Sequence, residues 1–498
     1  MRSLLLLATR TLAARVVVDE IAATALRVDE RYVSTVLDPS SLDCGASRNQ
    51  FSDPRGAGLA NLTNAKLRRF VQGISPTLIV ITGGRANCLD AKGKKAWRSP
   101  YCLARGYGGA SDQVLPALDA FSRATGADLA WHVNPSFRDA YGRFDAAAAP
   151  APTKATALLL YEELHERPPR PWKQKLPVSN GAQASPQSLA LDFELLRKKH
   201  RDATVVGMLN QDNDQPAAWT DAVYDASKSS VDVVAFSYYA SSVYLSKARK
   251  RYGCGAYADV PAGIVDPSHR KPFERILERY VALARRLGKV CWLVAAAPCT
   301  HSPEGSGWGA VDAVAGGLWY ADLLGRAAAG GAKLFARQTL LGGVYGLLDS
   351  RTYAETPSAV VAKAFSEHFG PEVLTVTAQT PPTLSVFAHC GRGAGTVAFL
   401  IVNVGNRTES LILPRHGAGP VVLSLAGDAL AAPAFAPSKL EARDSNAPLR
   451  IPAFSATVAI VGRLERPPAT CRRAAATPPP AAAEHRRKKR QKRGWFAR

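Results

Sequence analysis

The sequence predicts an α/β fold in which a closed (β/α)₈ TIM barrel precedes a smaller C-terminal β-sandwich domain. Eight short apolar runs alternate with segments of helical period, and the region after Gly370 holds only short strands separated by turn residues. The chain of 498 residues is long enough for a barrel and a partner domain. Its 47% hydrophobic content permits a large buried core, so extensive disorder is not expected.

The eight strand-like runs share a short length and an apolar or β-branched character, and they are residues 32–38, 77–84, 129–134, 157–163, 203–210, 231–239, 289–296 and 333–342. Helical segments between them include residues 111–125, 188–199, 272–287 and 311–328, and residues 357–369 follow the last run. An open, doubly wound sheet would give a similar alternation. The count of eight favours a closed barrel over residues 25–370.

Residues 371–466 have a different sequence pattern, with short strand-like runs and no helical segments between them. The runs are 373–377, 383–389, 395–403, 409–413, 421–425 and 456–462. Short strands with regular turn signals are typical of a β-sandwich. A further strand near residues 26–29 has no place in the barrel and could complete the sandwich. From residue 467 the chain is rich in proline and alanine and then strongly basic, which indicates a disordered basic tail over 467–498.

The N-terminal residues 1–15 resemble a weak secretory signal, with a basic Arg2 before an apolar stretch, although Arg10 interrupts it. An ordinary N-terminal segment is the other interpretation. Two glycosylation sequons, at Asn61 and Asn406, fit a secretory route. No run approaches the roughly 18 apolar residues of a spanning helix. We expect a secreted, extracellular or lysosomal protein, with membrane association through surface charge as a further option.

The net charge of +22 implies an acidic partner, such as a sulfated or uronate glycan, a nucleic acid or an anionic membrane surface. A general bias toward arginine would also explain part of it. The tail from Arg472 holds ten of the 63 Lys and Arg residues, so the rest of the chain is basic as well. The eight cysteines form no CxxC pair, so neither a zinc site nor any other metal or cofactor is expected. Their spacing alone assigns no disulfide.

Barrel enzymes carry their reacting groups at the carboxyl ends of the strands. The fourth run continues into Glu162, Glu163 and Glu166, whereas the seventh continues into three consecutive alanines that begin at Ala295. Retaining glycosidases need two carboxylates about 5–5.5 Å apart at such positions. One of the two sides has a carboxylate, and the other has none.

Several motifs carry a more specific resemblance. They are residues 67–76 followed by Gly83 and Gly84, Ala336-Arg337-Gln338 with Gly342, Gly343 and Tyr345, residues 347–349 with the helix to Gly370, and Pro452-Ala453-Phe454-Ser455. Together they resemble the heparanase group of glycoside hydrolases, family 79, from about residue 28 to residue 471. The resemblance implies a retaining endo-β-glucuronidase scaffold.

The resemblance implies a role for each matching position. The family's Trp-Glu-Leu-Gly-Asn-Glu-Pro run is represented here by residues 161–167, which makes Glu166 the acid/base candidate and puts His165 where an asparagine holds the sugar 2-hydroxyl. The nucleophile position, normally Gly-Glu-Thr, holds Ala295. Glu304 is the one carboxylate nearby in that loop and is the candidate for a displaced nucleophile.

The remaining implied sugar-binding positions are Asp38, Asn134, Tyr238, Tyr239, Gln338 and Tyr345. A tyrosine at a strand end serves packing as often as it stacks on a sugar. The resemblance also implies a disulfide between Cys390 and Cys471. The long linker that heparanases excise is missing, because residues 86–110 alone separate the second strand from the next helix.

Three functional hypotheses follow. In the first, the chain is a glycan-binding pseudoenzyme, or a severely impaired hydrolase, that recognises acidic polysaccharide such as heparan-type glycan. In the second, it is an active retaining endo-β-glucuronidase that uses Glu166 and Glu304. In the third, the basic tail binds nucleic acid or directs the protein to the nucleus, which a working secretory signal would exclude.

Overall fold

The computed structural model describes residues 15–37, 61–82, 111–133, 146, 155–162, 185–211, 217–240, 261–298, 311, 313–341, 345–414, 421–432, 434–441, 448–462 and 471. Strand β1 (Arg15–Arg27) precedes the barrel. The barrel strands are β2 (Val33–Leu37), β3 (Leu78–Ile81), β4 (Asp128–Val133), β5 (Ala155–Glu162), β6 (Thr204–Gln211), β7 (Val233–Tyr239), β8 (Val290–Ala297) and β9 (Leu334–Gln338).

These eight strands form a closed parallel barrel in chain order, and β9 pairs back onto β2. Each strand overlaps one of the eight apolar runs, so the predicted (β/α)₈ barrel is confirmed. The strands are almost continuously apolar because one side of each faces the barrel interior and the other faces the helices. Neither side is left to solvent.

The helices of the described residues are α1 (Ala65–Gly73), α2 (Ser111–Thr125), α3 (Pro186–Lys199), α4 (Ala217–Ala226), α5 (Pro261–Ile264), α6 (Arg270–Leu287), α7 (Val314–Gly330) and α8 (Pro357–His368). Side-chain caps begin two of them: Asn64 accepts hydrogen bonds from two backbone N–H groups of α1, and Ser185 accepts one from α3. In the described part of the chain, no helix combines the length and apolar character that a membrane span requires.

The second domain contains strands β10 (Phe369–Ala378), β11 (Leu384–Gly391), β12 (Val397–Asn403), β13 (Glu409–Ile412), β14 (Val421–Ala426), β15 (Ala436–Glu441), β16 (Leu449–Ile451) and β17 (Ser455–Val461). With β1 they form a nine-stranded sheet in the order β15-β14-β17-β12-β11-β10-β1-β13-β16. The N-terminal strand therefore belongs to this domain, pairing antiparallel with β10 and parallel with β13.

A separate apolar core lies inside the second domain. Residues of β10, β11, β12 and β17 pack there against Leu411 of β13 and against Leu449 and Ile451 of β16. The sheet thus folds over so that its β13-β16 end faces the β17-β12-β11-β10 part, as in a β-sandwich. Cys390 and Cys471 belong to the same core and form a disulfide with a Cα–Cα distance of 5.1 Å, so the pairing implied by the resemblance is confirmed.

A buried ion cluster joins the barrel to the second domain. Asp322 of α7 accepts hydrogen bonds from Arg270 Nε at 3.1 Å and from Arg326 Nε at 2.8 Å. Arg326 Nη2 also donates to Ser385 Oγ of β11 at 2.9 Å. The two cations lower the pKa of Asp322, although burial acts in the opposite direction. Because Asp322 is buried and shared by both arginines, its loss would leave two poorly solvated cations without their common carboxylate.

The same interface depends on a close approach between α7 and β11. A Cβ atom added at Gly325 would lie 2.1 Å from the ring of Phe387, so no larger residue fits without displacement of the ring. The guanidinium of Arg326 lies over this ring, 5.7 Å from its centroid. The missing side chain of Gly325 therefore lets the sandwich pack directly on the barrel helix.

We predict that replacing both Cys390 and Cys471 with serine lowers the free energy of unfolding by about 4 kcal/mol. The crosslink closes a loop of 81 residues and so restricts the unfolded chain. Urea denaturation of the double variant and of the unmodified protein measures the difference. Equal midpoints for the two proteins would contradict the prediction.

A second stability prediction concerns His389, a buried residue of β11 that lies edge-on to the rings of Phe365 and Phe369. Burial lowers its pKa from 6.5 to about 4, while Nδ1 stays within 2.9 Å of the carbonyl oxygen of Gly370. Between pH 6.5 and pH 4 the unfolded chain binds a proton that the folded protein does not bind. Stability therefore falls as the pH drops through this window, by about 3 kcal/mol in total.

The measurement is the midpoint of thermal unfolding at pH 7, 6, 5 and 4 for the wild type and for His389→Asn. An asparagine keeps a donor near Gly370 but has no titrating group in this range. At pH 7 the variant should have a lower unfolding midpoint than the wild type, because it loses the ring contacts. Its midpoint should then fall less on acidification. Parallel curves for the two proteins would show that His389 is not the group responsible.

Candidate functional site

The carboxyl ends of the barrel strands meet in one ring, and the candidate site lies there. Alternation along each strand and the registers between neighbours decide which residues face the interior. Arg337 contacts Trp319 and Tyr320 of helix α7 on the outer face, so the next residue, Gln338, lies on the interior face at the end of β9, where it pairs with Val36. Its side chain is 6% exposed, and Oε1 has no hydrogen-bond partner in the structure as described. Gln338 is therefore a candidate for contact with a ligand at the barrel mouth.

Ala295 lies at a β-bulge in β8. The β8–β9 register shifts between Val294 and Ala296, which pair with Ala336 and Arg337, so Ala295 has no partner of its own. Its φ of 62° is in the left-handed region that alanine rarely adopts. The residue is 4% exposed and contributes only a methyl group. The structure thus preserves an irregular strand end at the position where the resemblance implies a nucleophile.

The two tyrosines that end β7 have different surroundings. Tyr238 lies on the outer face and packs against Phe273 of α6, with ring centroids 4.9 Å apart. Its ring belongs to the packing of the barrel wall, a placement that does not support the predicted contact with substrate. Tyr239, the next residue, faces the interior by alternation and is 8% exposed. Of the pair, Tyr239 remains the candidate for a ligand contact.

Tyr345 follows β9 and is 4% exposed, with its ring centroid 5.9 Å from the guanidinium carbon of Arg337. Arg337 is completely buried on the outer face of β9, and burial lowers its pKa from 12.5 to about 10. This arginine belongs to the motif Ala336-Arg337-Gln338, but no role was predicted for it from the sequence. The signal was a charged residue inside the apolar strand Leu334–Gln338.

A buried polar pair that was not predicted from the sequence lies near the ends of β3 and β4. Thr82 Oγ1 is 3.2 Å from Nδ1 of His132, and both side chains are buried. The register places His132 beside Leu159 of β5. A histidine between apolar neighbours in a strand was the available signal. The pair adds buried hydrogen-bonding groups near the strand ends.

Five predicted site residues lie outside the described residues, and they are Asp38, Asn134, His165, Glu166 and Glu304. The described parts of β2 and β4 end one residue before Asp38 and Asn134 in the sequence. The roles of these five positions stay predictions. Within the described ranges, no group of three or more His, Cys, Asp or Glu side chains could hold a metal ion.

The two sequons lie at exposed turns. Asn61 is exposed, and its Oδ1 accepts hydrogen bonds from the backbone N–H of Thr63 at 2.9 Å and from the Thr63 hydroxyl at 2.6 Å. Asn406 is exposed between β12 and β13. Both asparagines are therefore accessible at the protein surface, and their glycosylation stays a prediction.

The architecture is similar to that of solved glycoside hydrolases. AbfB, a family 51 α-L-arabinofuranosidase from Bifidobacterium longum, matches 90% of this chain and 100% of its own, with a TM-score of 0.62 and 12% identity. An α-L-arabinofuranosidase from Thermotoga maritima gives a TM-score of 0.62, also at 12% identity, over 90% of this chain and 99% of its own. At this identity the similarity shows the fold alone, a (β/α)₈ barrel with an added β domain.

Similarity to curated proteins is higher in sequence identity but covers a much shorter part of the chain. Heparanase-like protein 1 from Arabidopsis thaliana is 36% identical over 105 residues, which is 21% of this chain and 19% of that protein. Baicalin-β-D-glucuronidase from Scutellaria baicalensis is 34% identical over 87 residues, 18% of this chain and 16% of its own length. The chain is thus similar to heparanase-like proteins and a β-glucuronidase, and it matches about a fifth of their length. No protein-family model matches the chain.

We predict that Ala295→Gly raises the free energy of unfolding by about 1 kcal/mol, because glycine adopts a positive φ without the steric cost that alanine bears. Ala297→Gly, two residues further along β8, is the matched control. It should lower stability, since that position is buried and has no positive φ. Guanidinium denaturation compares the two variants, and equal destabilisation by both would refute strain at Ala295.

Proposed function

We propose that this chain is a heparanase-like protein of the family 79 type that binds acidic glycans at the barrel mouth and is severely impaired in hydrolysis. One observation carries the proposal: the bulged end of β8 presents the methyl group of Ala295 where the resemblance implies the nucleophilic carboxylate. The local similarity to heparanase-like proteins and to a β-glucuronidase supports the substrate class.

The chemical reason for the impairment is the covalent step. In a retaining mechanism the nucleophile attacks the anomeric carbon, and the acid/base residue protonates the leaving oxygen. An alanine side chain cannot form the glycosyl ester. Glu166 could still protonate an oxygen, but loss of a nucleophile typically costs several orders of magnitude in kcat.

The binding part of the proposal rests on charge and on the polar groups that remain. The net charge of +22 attracts polyanions and speeds their encounter with the protein. Gln338, Tyr239 and Tyr345 supply hydrogen-bonding groups at the strand ends, none of which depends on a carboxylate at position 295. Recognition can therefore survive the loss of turnover.

The second candidate function is an active retaining endo-β-glucuronidase in which Glu304 replaces the missing nucleophile. Its support is that Glu304 follows Ala295 by nine residues in the sequence. A carboxylate in a loop is seldom held as accurately as one on a strand, which favours the first proposal. We also propose a secretory location, which the buried Cys390–Cys471 disulfide supports because such bonds persist in oxidising compartments.

We predict salt-sensitive binding to heparan sulfate and negligible release of product from heparan sulfate and aryl β-glucuronides. Calorimetry at low and high salt measures binding, and a neutral polysaccharide is the ligand control. A variant with Lys488, Lys489 and Lys492 changed to glutamine separates binding by the tail from binding by the barrel. If this variant binds no glycan, the barrel mouth is not the binding site.

Three substitutions then test the chemistry on an aryl β-glucuronide. Ala295→Glu should create measurable hydrolysis, and adding Glu166→Gln should abolish it, since both carboxylates are needed for the retaining mechanism. Glu304→Gln should change nothing in the wild type. Robust wild-type turnover that Glu304→Gln abolishes would establish the second candidate function. Wild-type turnover that survives this change would refute both assignments of the nucleophile.

A further inference from the structure

Arg337 is a buried cation directly behind the candidate site. It lies on the outer face of β9, between the barrel wall and helix α7, and its side chain is fully enclosed. Arg270 and Arg326, which are partly buried, share the carboxylate of Asp322. In the described portion of the chain, Arg337 has no carboxylate partner, and its Nε and Nη2 donate no hydrogen bond. A buried charge without a counter-ion is costly, so its retention calls for a reason.

Three aromatic rings surround the guanidinium instead of a carboxylate. Its central carbon lies 5.1 Å from the ring centroid of Trp319, 5.6 Å from that of Tyr320 and 5.9 Å from that of Tyr345. Cation–π attraction offsets part of the desolvation cost, and more so in an enclosed setting than at the surface. Trp319 and Tyr320 belong to α7, whereas Tyr345 lies in the segment after β9.

The hydrogen bonds of Arg337 go to the ends of two strands. Its Nη1 donates to the carbonyl oxygen of Ala296 at 2.9 Å and to that of Gln338 at 2.8 Å. Ala296 follows the bulge at Ala295, where the regular pairing of β8 with β9 is interrupted. The side chain of Arg337 thus connects the backbone of β8, just after the bulge, to the end of β9.

We propose that Arg337 is the positioning residue of the candidate site, which holds the Ala295 bulge, Gln338 and Tyr345 in fixed relation from behind the barrel wall. Its importance for chemistry rests on the proposed function, whereas its mechanical role does not. A bulge leaves the backbone less restrained than a regular ladder, and a fixed donor compensates for that loss. Both hydrogen bonds come from Nη1, whose two N–H bonds have fixed directions in the guanidinium plane, and an ammonium lacks this fixed geometry.

Hydrogen–deuterium exchange of the full-length protein tests the mechanical role without any ligand. Arg337→Lys keeps the positive charge but removes the planar guanidinium. Arg337→Met removes both the charge and the donor group. In each variant the peptide that covers residues 290–298 should exchange at least about tenfold faster, since its local opening becomes easier. Arg326→Lys, at the buried cluster between the domains, is the matched control. It should lower the unfolding temperature without a selective change in this peptide.

Two outcomes would overturn the positioning role. One is unchanged exchange over residues 290–298 in both Arg337 variants while they remain folded. The other is acceleration spread evenly over the barrel, which would indicate general loss of stability. Because Arg337→Lys is the milder change, it keeps the test informative if Arg337→Met fails to fold.

The consequence for catalysis is measured in the Ala295→Glu background on an aryl β-glucuronide. Adding Arg337→Lys should lower kcat by about 100-fold with little change in KM, because small displacements of a reacting group are costly while binding is spread over other residues. Equal kcat values would refute the positioning role in chemistry. If Ala295→Glu alone is inactive, the proposed function fails, and the exchange experiment still decides the role of Arg337.

Discussion

Closure of the parallel barrel is the constraint on which the rest of the structure depends. Pairing of β9 with β2 completes the ring, so all eight strand ends lie around one axis. Residues separated by three hundred positions in the sequence, such as Val36 and Gln338, become direct neighbours. An open sheet with the same strands would place them at opposite edges. The candidate site exists only because the ring closes.

The second domain stabilises this arrangement from outside. Strand β1 belongs to the sheet of the second domain, between β10 and β13. The chain runs from this strand into the barrel and returns to the same sheet after the last barrel helix. Asp322 with Arg270 and Arg326 connects the barrel helices to β11 through buried charges, and Gly325 allows the close approach of Phe387. The domains therefore share one packed interface, and a change at this interface affects the stability of both.

The candidate site combines an irregular strand end with an alanine at the position where the resemblance implies a nucleophile. Natural barrels retain irregular backbone near active sites because strain there positions side chains. Ala295 keeps the left-handed backbone, and Arg337 keeps its hydrogen bond to the next carbonyl, although the side chain at 295 is a methyl group. The proposed function, glycan binding without efficient hydrolysis, rests on this combination. In our proposal, the hydrogen bonds of Arg337 restrain this strand end.

The sequence by itself determined the eight strands, the sandwich and the position of Ala295, because hydrophobic periodicity and local motifs are properties of neighbouring residues. The resemblance supplied the Cys390–Cys471 pair, which spacing could not assign. Only the tertiary structure decided that Tyr238 faces Phe273 whereas Tyr239 faces the interior, since strand registers set which side is inside. It also decided the surroundings of Arg337, whose aromatic partners come from α7 and the segment after β9 and meet only when the barrel folds.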